Sequence, residues 1–123
     1  MAKILIVDDD EQITALFEKY LSSEGHDVTP LNKSNQAVET ALKIRPDIFI
    51  LDLMMPEPDG FKLCRMLRTF AQFLDTPILI VTALSDEDSR AVAFGAGADD
   101  YLTKPFVIDE LGRRVKELLS PLR

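Results

Sequence analysis

Three four-residue apolar runs, each stopping at a polar side chain, limit what this chain can fold into more than any other feature. Ile48-Phe49-Ile50-Leu51 stops at Asp52, Ile4-Leu5-Ile6-Val7 at Asp8-Asp9-Asp10, and Ile78-Leu79-Ile80-Val81 at Thr82. A weaker run, Tyr101-Leu102-Thr103, stops at Lys104. Short runs without polar alternation read as strands buried on both faces, as in a parallel sheet. A parallel sheet puts the carboxyl end of every strand on one edge, where open α/β sheets place their ligands. Several carboxylates, a hydroxyl and an ammonium therefore converge on one small site. A bare Asp at the end of a buried strand is costly unless something at that edge needs its charge.

Between these runs the signals are helical. Lys3 to Asp8 reads as the first strand, with Asp10 capping a helix whose stripe is Ile13, Leu16, Phe17 and Tyr20 and whose end is Gly25. Asp27 to Leu31 contains Pro30, which cannot donate to a ladder, so it reads as an edge strand. Ser34 is placed to cap a second helix to about Lys43, with Ala37, Val38, Ala41 and Leu42 inward, and Pro46 precedes a strand over 47–52. Asp59 is placed to cap a third helix to about Phe70, whose apolar residues are Phe61, Leu63, Cys64, Met66 and Leu67. After the strand Pro77 to Thr82, Ser85 is the expected cap of helix four, with Asp86, Glu87 and Asp88 in its first turn. Gly95 and Gly97 break that helix before a strand at about Asp99 to Thr103, and a fifth helix runs from about Ile108 to Leu119. Val107 stands where its polar cap would be expected. Five strands alternating with five helices predict a doubly wound α/β domain with a five-stranded parallel sheet.

Bulk properties narrow the function. The 123 residues are expected to form a single domain over 1–123, with no output domain present. A net charge of −7 argues against direct nucleic-acid contact, which needs a basic patch. The single cysteine, Cys64, excludes an internal disulfide and reads as a small helix hydrophobe. The N-terminal apolar run meets three acids after four residues, which suits neither a signal peptide nor a membrane span. A cytoplasmic protein is expected.

At the strand ends the electrostatics point to a cation. Two like charges about 4 Å apart repel by roughly 4 kcal/mol at a protein-surface dielectric. Asp8, Asp9 and Asp52, crowded together, would not all stay ionised alone, and oxygen-only ligands favour a hard ion such as Mg²⁺. The bland alternative is that Asp8 to Asp10 form a solvated loop with one helix cap. A metal on one or two carboxylates with positions left for phosphate oxygens is the usual phosphoryl-transfer arrangement, and a carboxylate can itself take the phosphoryl group. Lys104 offers a compact positive charge and Thr82 a hydroxyl donor.

Four motifs then resemble those of the response-regulator receiver domain of two-component signalling: Ile4 to Asp10, Asp52-Leu53-Met54-Met55-Pro56, Val81-Thr82-Ala83 and Lys104-Pro105-Phe106. The stretch Gly97 to Phe106 is especially similar, and the resemblance spans essentially the whole chain. It implies a flavodoxin-like strand order 2-1-3-4-5. It implies that Asp52 is the phosphoacceptor, supplied by a sensor histidine kinase or a histidine phosphotransfer protein. Asp9, Asp52 and the Met54 backbone carbonyl would bind Mg²⁺, with Asp8 acting partly through water. Thr82 and Lys104 would contact the phosphoryl group, Thr82 and Tyr101 would be the switch pair, and the Lys104–Pro105 bond would be cis. The switched surface would be helix 4, strand 5 and helix 5. There Asp99, Asp100 and Arg114 match positions that form salt bridges between dimer partners in DNA-binding members; ordinary solvated charges are the alternative. Such a domain takes part in its own phosphoryl transfer and slow dephosphorylation without being an enzyme in the turnover sense. Met54 and Leu84 would flank the site and, being apolar, slow hydrolysis.

Three other readings compete. A flavodoxin-like electron carrier needs a donor-rich loop after strand one, where this chain has three acids. A haloacid-dehalogenase-like phosphatase needs a second Asp two residues after the nucleophile, where Met54 stands. A pure interaction module would never be phosphorylated and would tolerate Asp52→Asn.

Overall fold

The structure is a computed structural model and describes residues 1–121. Leu122 and Arg123, the end of the expected 1–123 domain, lie outside the described residues. Five strands, β1 (Lys3–Val7), β2 (Asp27–Leu31), β3 (Ile48–Leu51), β4 (Ile78–Thr82) and β5 (Asp100–Thr103), alternate with five α-helices. The helices are α1 (Glu11–Ser23), α2 (Ala37–Ile44), α3 (Gly60–Leu67), α4 (Glu87–Gly95) and α5 (Ile108–Leu119). All strand pairs are parallel and the order is β2-β1-β3-β4-β5, as the resemblance implies.

The apolar runs explain the layering. Alternate strand residues point to opposite faces. Leu5, Val7, Phe49, Leu51, Ile78 and Ile80 meet Ala37 and Ala41 of α2, Leu63, Cys64 and Leu67 of α3, and Ala93 of α4. Ile4, Ile6, Ile48, Ile50, Leu79, Val81 and Leu102 meet Phe17 and Leu21 of α1 and Leu111, Val115 and Leu118 of α5. Each large apolar side chain so buried contributes roughly 1.5 to 3 kcal/mol. Both faces of β3 and β4 are covered, which is why their residues are apolar without alternation. Pro30 sits in β2, which pairs with β1 alone.

Several local expectations are corrected. The α4 cap is Asp86, whose carboxylate accepts from the Ser89 N–H; Ser85 lies outside the helix. Ser34 caps nothing: it opens a 3₁₀ turn, Ser34–Gln36, and its hydroxyl is committed to Pro56. Helix α3 ends at Leu67 rather than near Phe70, because a second 3₁₀ turn, Ala71–Phe73, buries Phe73 instead. Leu16 is half exposed, and the inner face of α1 runs through Thr14, Phe17 and Leu21. The caps Asp10 and Asp59 stand as expected, Gly25 follows α1 at φ 94°, and Val107 offers no side-chain cap to α5. No helix among the described residues is long and apolar enough to cross a membrane.

Candidate functional site

Parallel pairing extends one residue past the strands and delivers the acids to a common edge. The Asp8 N–H donates to Leu31 O, the Asp52 N–H to Val7 O and the Lys104 N–H to Thr82 O. Carboxylate oxygens of Asp8, Asp9 and Asp52 lie within 4.8 Å of one another. Asp8 and Asp52 are buried and Asp9 is exposed. Lys104 Nζ donates to Asp8 Oδ2 at 2.9 Å and to Asp52 Oδ2 at 3.4 Å. The Asp10 N–H donates to Asp8 Oδ1 and the Met54 N–H to Asp52 Oδ1.

The charges do not balance within this group. Burial, with the Asp52 charge adding to it, pushes the Asp8 carboxyl above its ordinary range despite bonds from the Asp10 N–H and Lys104. Burial alone would lower the Lys104 ammonium, but its bond to Asp8 and the Asp52 charge outweigh that and hold it above its usual value. One ammonium against three carboxylates leaves two negative charges, which one divalent cation would offset. The donors are hard oxygens, with neither thiolate nor imidazole among them, and this set fits Mg²⁺.

The other expected residues fall as follows. Thr82 is fully buried at the end of β4, and its Oγ1 accepts from the Leu84 N–H at 3.4 Å. Tyr101 is buried, its hydroxyl donating to Leu84 O at 2.7 Å. The Arg90 guanidinium lies 5.3 Å from both the Tyr101 and Phe94 ring centroids. The Met54 side chain points outward, 55% exposed, and Leu84 is half-buried. The Lys104–Pro105 peptide is cis, and so is Glu57–Pro58, which sequence reasoning does not anticipate.

Asp99, Asp100 and Arg114 do not share one environment. Arg114 Nη1 donates to both carboxylate oxygens of Asp100 at 3.0 Å, within the same chain. Asp99 instead accepts from Arg68 and from the Ile78 N–H, both at 2.9 Å. Sequence reading passes over Asn32, whose Nδ2 donates to the Asp8 carbonyl. The available signal is its position one residue beyond β2, on the edge that carries the acids.

Comparison with known proteins identifies the family to which this fold and sequence belong. The sequence pattern of the response regulator receiver domain matches residues 4–116. The DNA-binding dual master transcriptional regulator RpaA of Synechocystis is 41% identical across 97% of this chain and 49% of its own length. The response regulator MprA of Mycobacterium leprae is 42% identical across 95% of this chain and 50% of its own. The chain thus spans about half the length of the curated relatives it matches. Among solved structures, a response regulator from Chloroflexus aurantiacus superposes with a TM-score of 0.91 at 37% identity, covering 96% of this chain and 97% of that one. The N-terminal receiver domain of Klebsiella pneumoniae RstA gives 0.89 at 32% identity, covering 95% and 97%. With the acid cluster, the strand order and these likenesses in agreement, the chain belongs to the response regulator receiver domain family.

Proposed function

We propose that this domain is a Mg²⁺-assisted phosphoacceptor and switch, taking a phosphoryl group onto Asp52 from a phosphohistidine. The observation that carries the reading is the Lys104 ammonium bridging Asp8 and Asp52, with an Asp9 oxygen within 4.8 Å of both acids. The buried Asp8–Lys104–Asp52 ion pairs are weak contributors to stability, since apolar side chains of similar volume often serve as well.

An Asp52 carboxylate oxygen attacks phosphorus as the bond to the histidine nitrogen breaks, and that nitrogen keeps the electron pair. Lys104 is placed to follow the new phosphoryl oxygens, and the buried Thr82 hydroxyl is a donor available to them. The ligands for Mg²⁺ would be Asp9, Asp52 and the Met54 carbonyl, with Asp8 partly through water. Bound there, the ion would neutralise charge that the carboxylates and the phosphoryl group bring together. Thr82 Oγ1 meets the Leu84 N–H, and Leu84 O meets the Tyr101 hydroxyl. Turning Thr82 toward a phosphoryl group therefore loosens the segment that Tyr101 holds. That links Asp52 to the surface of α4, β5 and α5, where the output partner would be controlled.

The donor would be a sensor histidine kinase or a histidine phosphotransfer protein in the cytoplasm. The similarity to the DNA-binding transcriptional regulator RpaA, about twice this length, favours a DNA-binding output carried elsewhere in a longer protein, with homodimerisation through α4, β5 and α5. Dephosphorylation would be slow and self-catalysed rather than enzymatic turnover.

Intact-protein mass spectrometry after incubation with acetyl phosphate and Mg²⁺ tests the reading. One phosphoryl increment is expected, absent in Asp52→Asn and in EDTA. An increment that survives in Asp52→Asn, or none at all on folded wild type, would overturn it.

A further inference from the structure

Two of the groups that hold the acidic site in shape come from a segment that contributes none of its charges. Immediately after β2, Asn32 Nδ2 donates to the Asp8 carbonyl at 2.9 Å and to Thr14 Oγ1 at 2.9 Å. Thr14 is itself buried, and its hydroxyl donates to Glu11 O, so the carboxamide is anchored to the first turn of α1. Two residues on, the buried Ser34 hydroxyl donates to Pro56 O at 2.8 Å. One three-residue stretch thus grips the turn that follows β1 and the loop that follows β3. Those are the two segments that carry Asp8 and Asp9 on one side and Asp52 and Met54 on the other.

Asp9 makes this grip consequential. Among the described residues its carboxylate takes part in no hydrogen bond and no ion pair, whereas Asp8 and Asp52 are each fixed by Lys104 and a backbone N–H. The position of Asp9 is therefore set by the Asp8–Asp9 peptide, and the carbonyl of that peptide is what Asn32 holds. A carbonyl fixed by a side-chain donor cannot swing without breaking the bond, so ligand ordering is completed on folding and not charged to ion binding.

We propose that Asn32 and Ser34 are positioning residues that fix the separation of the two ligand-bearing segments and so set the affinity for Mg²⁺. The inference rests on the reading of Asp8, Asp9 and Asp52 as the Mg²⁺ site. Both residues act on backbone carbonyls rather than on ligand side chains. The effect therefore falls at or below the low end of the 10- to 100-fold range usual for outer-sphere partners, about three- to tenfold for each.

The test is calorimetric titration of Mg²⁺ into wild type, Asn32→Ala, Ser34→Ala, Asp9→Asn and the exposed neighbour control Asn35→Ala. Thermal midpoints in EDTA are measured for each. Labelling by acetyl phosphate is followed against Mg²⁺ concentration. Asn32→Ala and Ser34→Ala should each weaken Mg²⁺ binding about three- to tenfold, with Asn35→Ala unchanged. Their labelling curves should shift to higher Mg²⁺ and reach the wild-type plateau. Binding within twofold of wild type in both, even with lowered midpoints in EDTA, would reduce the two residues to structural roles and overturn the proposal. A lowered plateau with an unshifted Mg²⁺ midpoint would overturn it as well. If Asn32→Ala fails to fold, Asn32→Ser and Ser34→Ala decide the matter by the same criteria. Wild type that binds no Mg²⁺, or Asp9→Asn that binds as well as wild type, would instead sink the metal-site reading and the inference with it.

Discussion

Lys104 holds Asp8 more closely than it holds Asp52, with Nζ 2.9 Å from one carboxylate and 3.4 Å from the other. The ammonium occupies the site as a resident cation, neutralising part of the charge that a metal would neutralise. Lys104→Met should therefore bind Mg²⁺ about tenfold more tightly, on the order of 1.4 kcal/mol, because a repelling charge is gone. The same variant should lose stability in EDTA, since the buried acids lose their partner. Calorimetry and thermal melts measured side by side check both signs.

Gly60 opens α3 against the end of β3. A Cβ there would run into the Asp52 carbonyl oxygen and lie 2.6 Å from Leu53 Cα. Both obstacles are backbone and cannot rotate away. Gly60→Ala should cost about 2 to 3 kcal/mol, typical of overpacking, and slow labelling of Asp52 by displacing the loop that carries Met54. Urea denaturation and mass-spectrometric labelling read the two effects.

Arg68 ties together two connections at the other end of the sheet. Its guanidinium donates to Phe73 O and Thr76 O before β4, and to Gly97 O and Asp99 before β5. Arg68→Ala leaves several part-buried acceptors unpaired, and about 2 to 4 kcal/mol should be lost. Arg68→Lys should recover little of it, because a point charge cannot reproduce the fork. Chemical denaturation of the three proteins is the measurement.

Cys64 is fully buried, its Sγ 3.4 Å from Ala96 O, and burial pushes the thiol up from 9.0 to about 11. An acid whose folded value is raised loses stability as pH climbs: above 9.0 the unfolded chain sheds its proton while the folded chain keeps it. Wild type should lose up to about 2 kcal/mol more than Cys64→Ala between those two pH values. Stability curves at several alkaline pH values compare them, and the native thiol should resist alkylation at neutral pH.

Met54 and Leu84 flank Asp52 and Thr82 with apolar side chains, the first 55% exposed and the second half-buried. Met54→Asn and Leu84→Asn should each shorten the lifetime of the aspartyl phosphate by giving water a polar partner near phosphorus. Loss of the phosphoryl mass increment with time measures it, and unchanged lifetimes would remove the idea.

The sheet is readable because its three central strands are apolar on both faces, a pattern that few other arrangements permit. The acids and Lys104 were readable for a related reason, since each stands at a strand end and parallel pairing fixes where strand ends go. Asn32, Ser34 and Arg68 are not readable as partners: each reaches a backbone carbonyl distant in sequence, which leaves no trace in residue type. Ser85 and Asp86 are both good caps, and only the backbone turn selects Asp86 for α4. Asp99 and Asp100, adjacent in sequence, were grouped together, yet successive residues entering a strand face opposite ways, and they reach Arg68 and Arg114 respectively.

The site draws Asp8, Asp52, Thr82 and Lys104 from the ends of four separate strands, so no contiguous stretch contains it. A ribosome making this domain releases the acids before the ammonium. A nascent chain that stalls before β5 would display the carboxylates without the lysine that restrains them. The proposed acceptor site is therefore completed at once, when β5 joins the sheet, and a product cut before Lys104 should be silent rather than partly active.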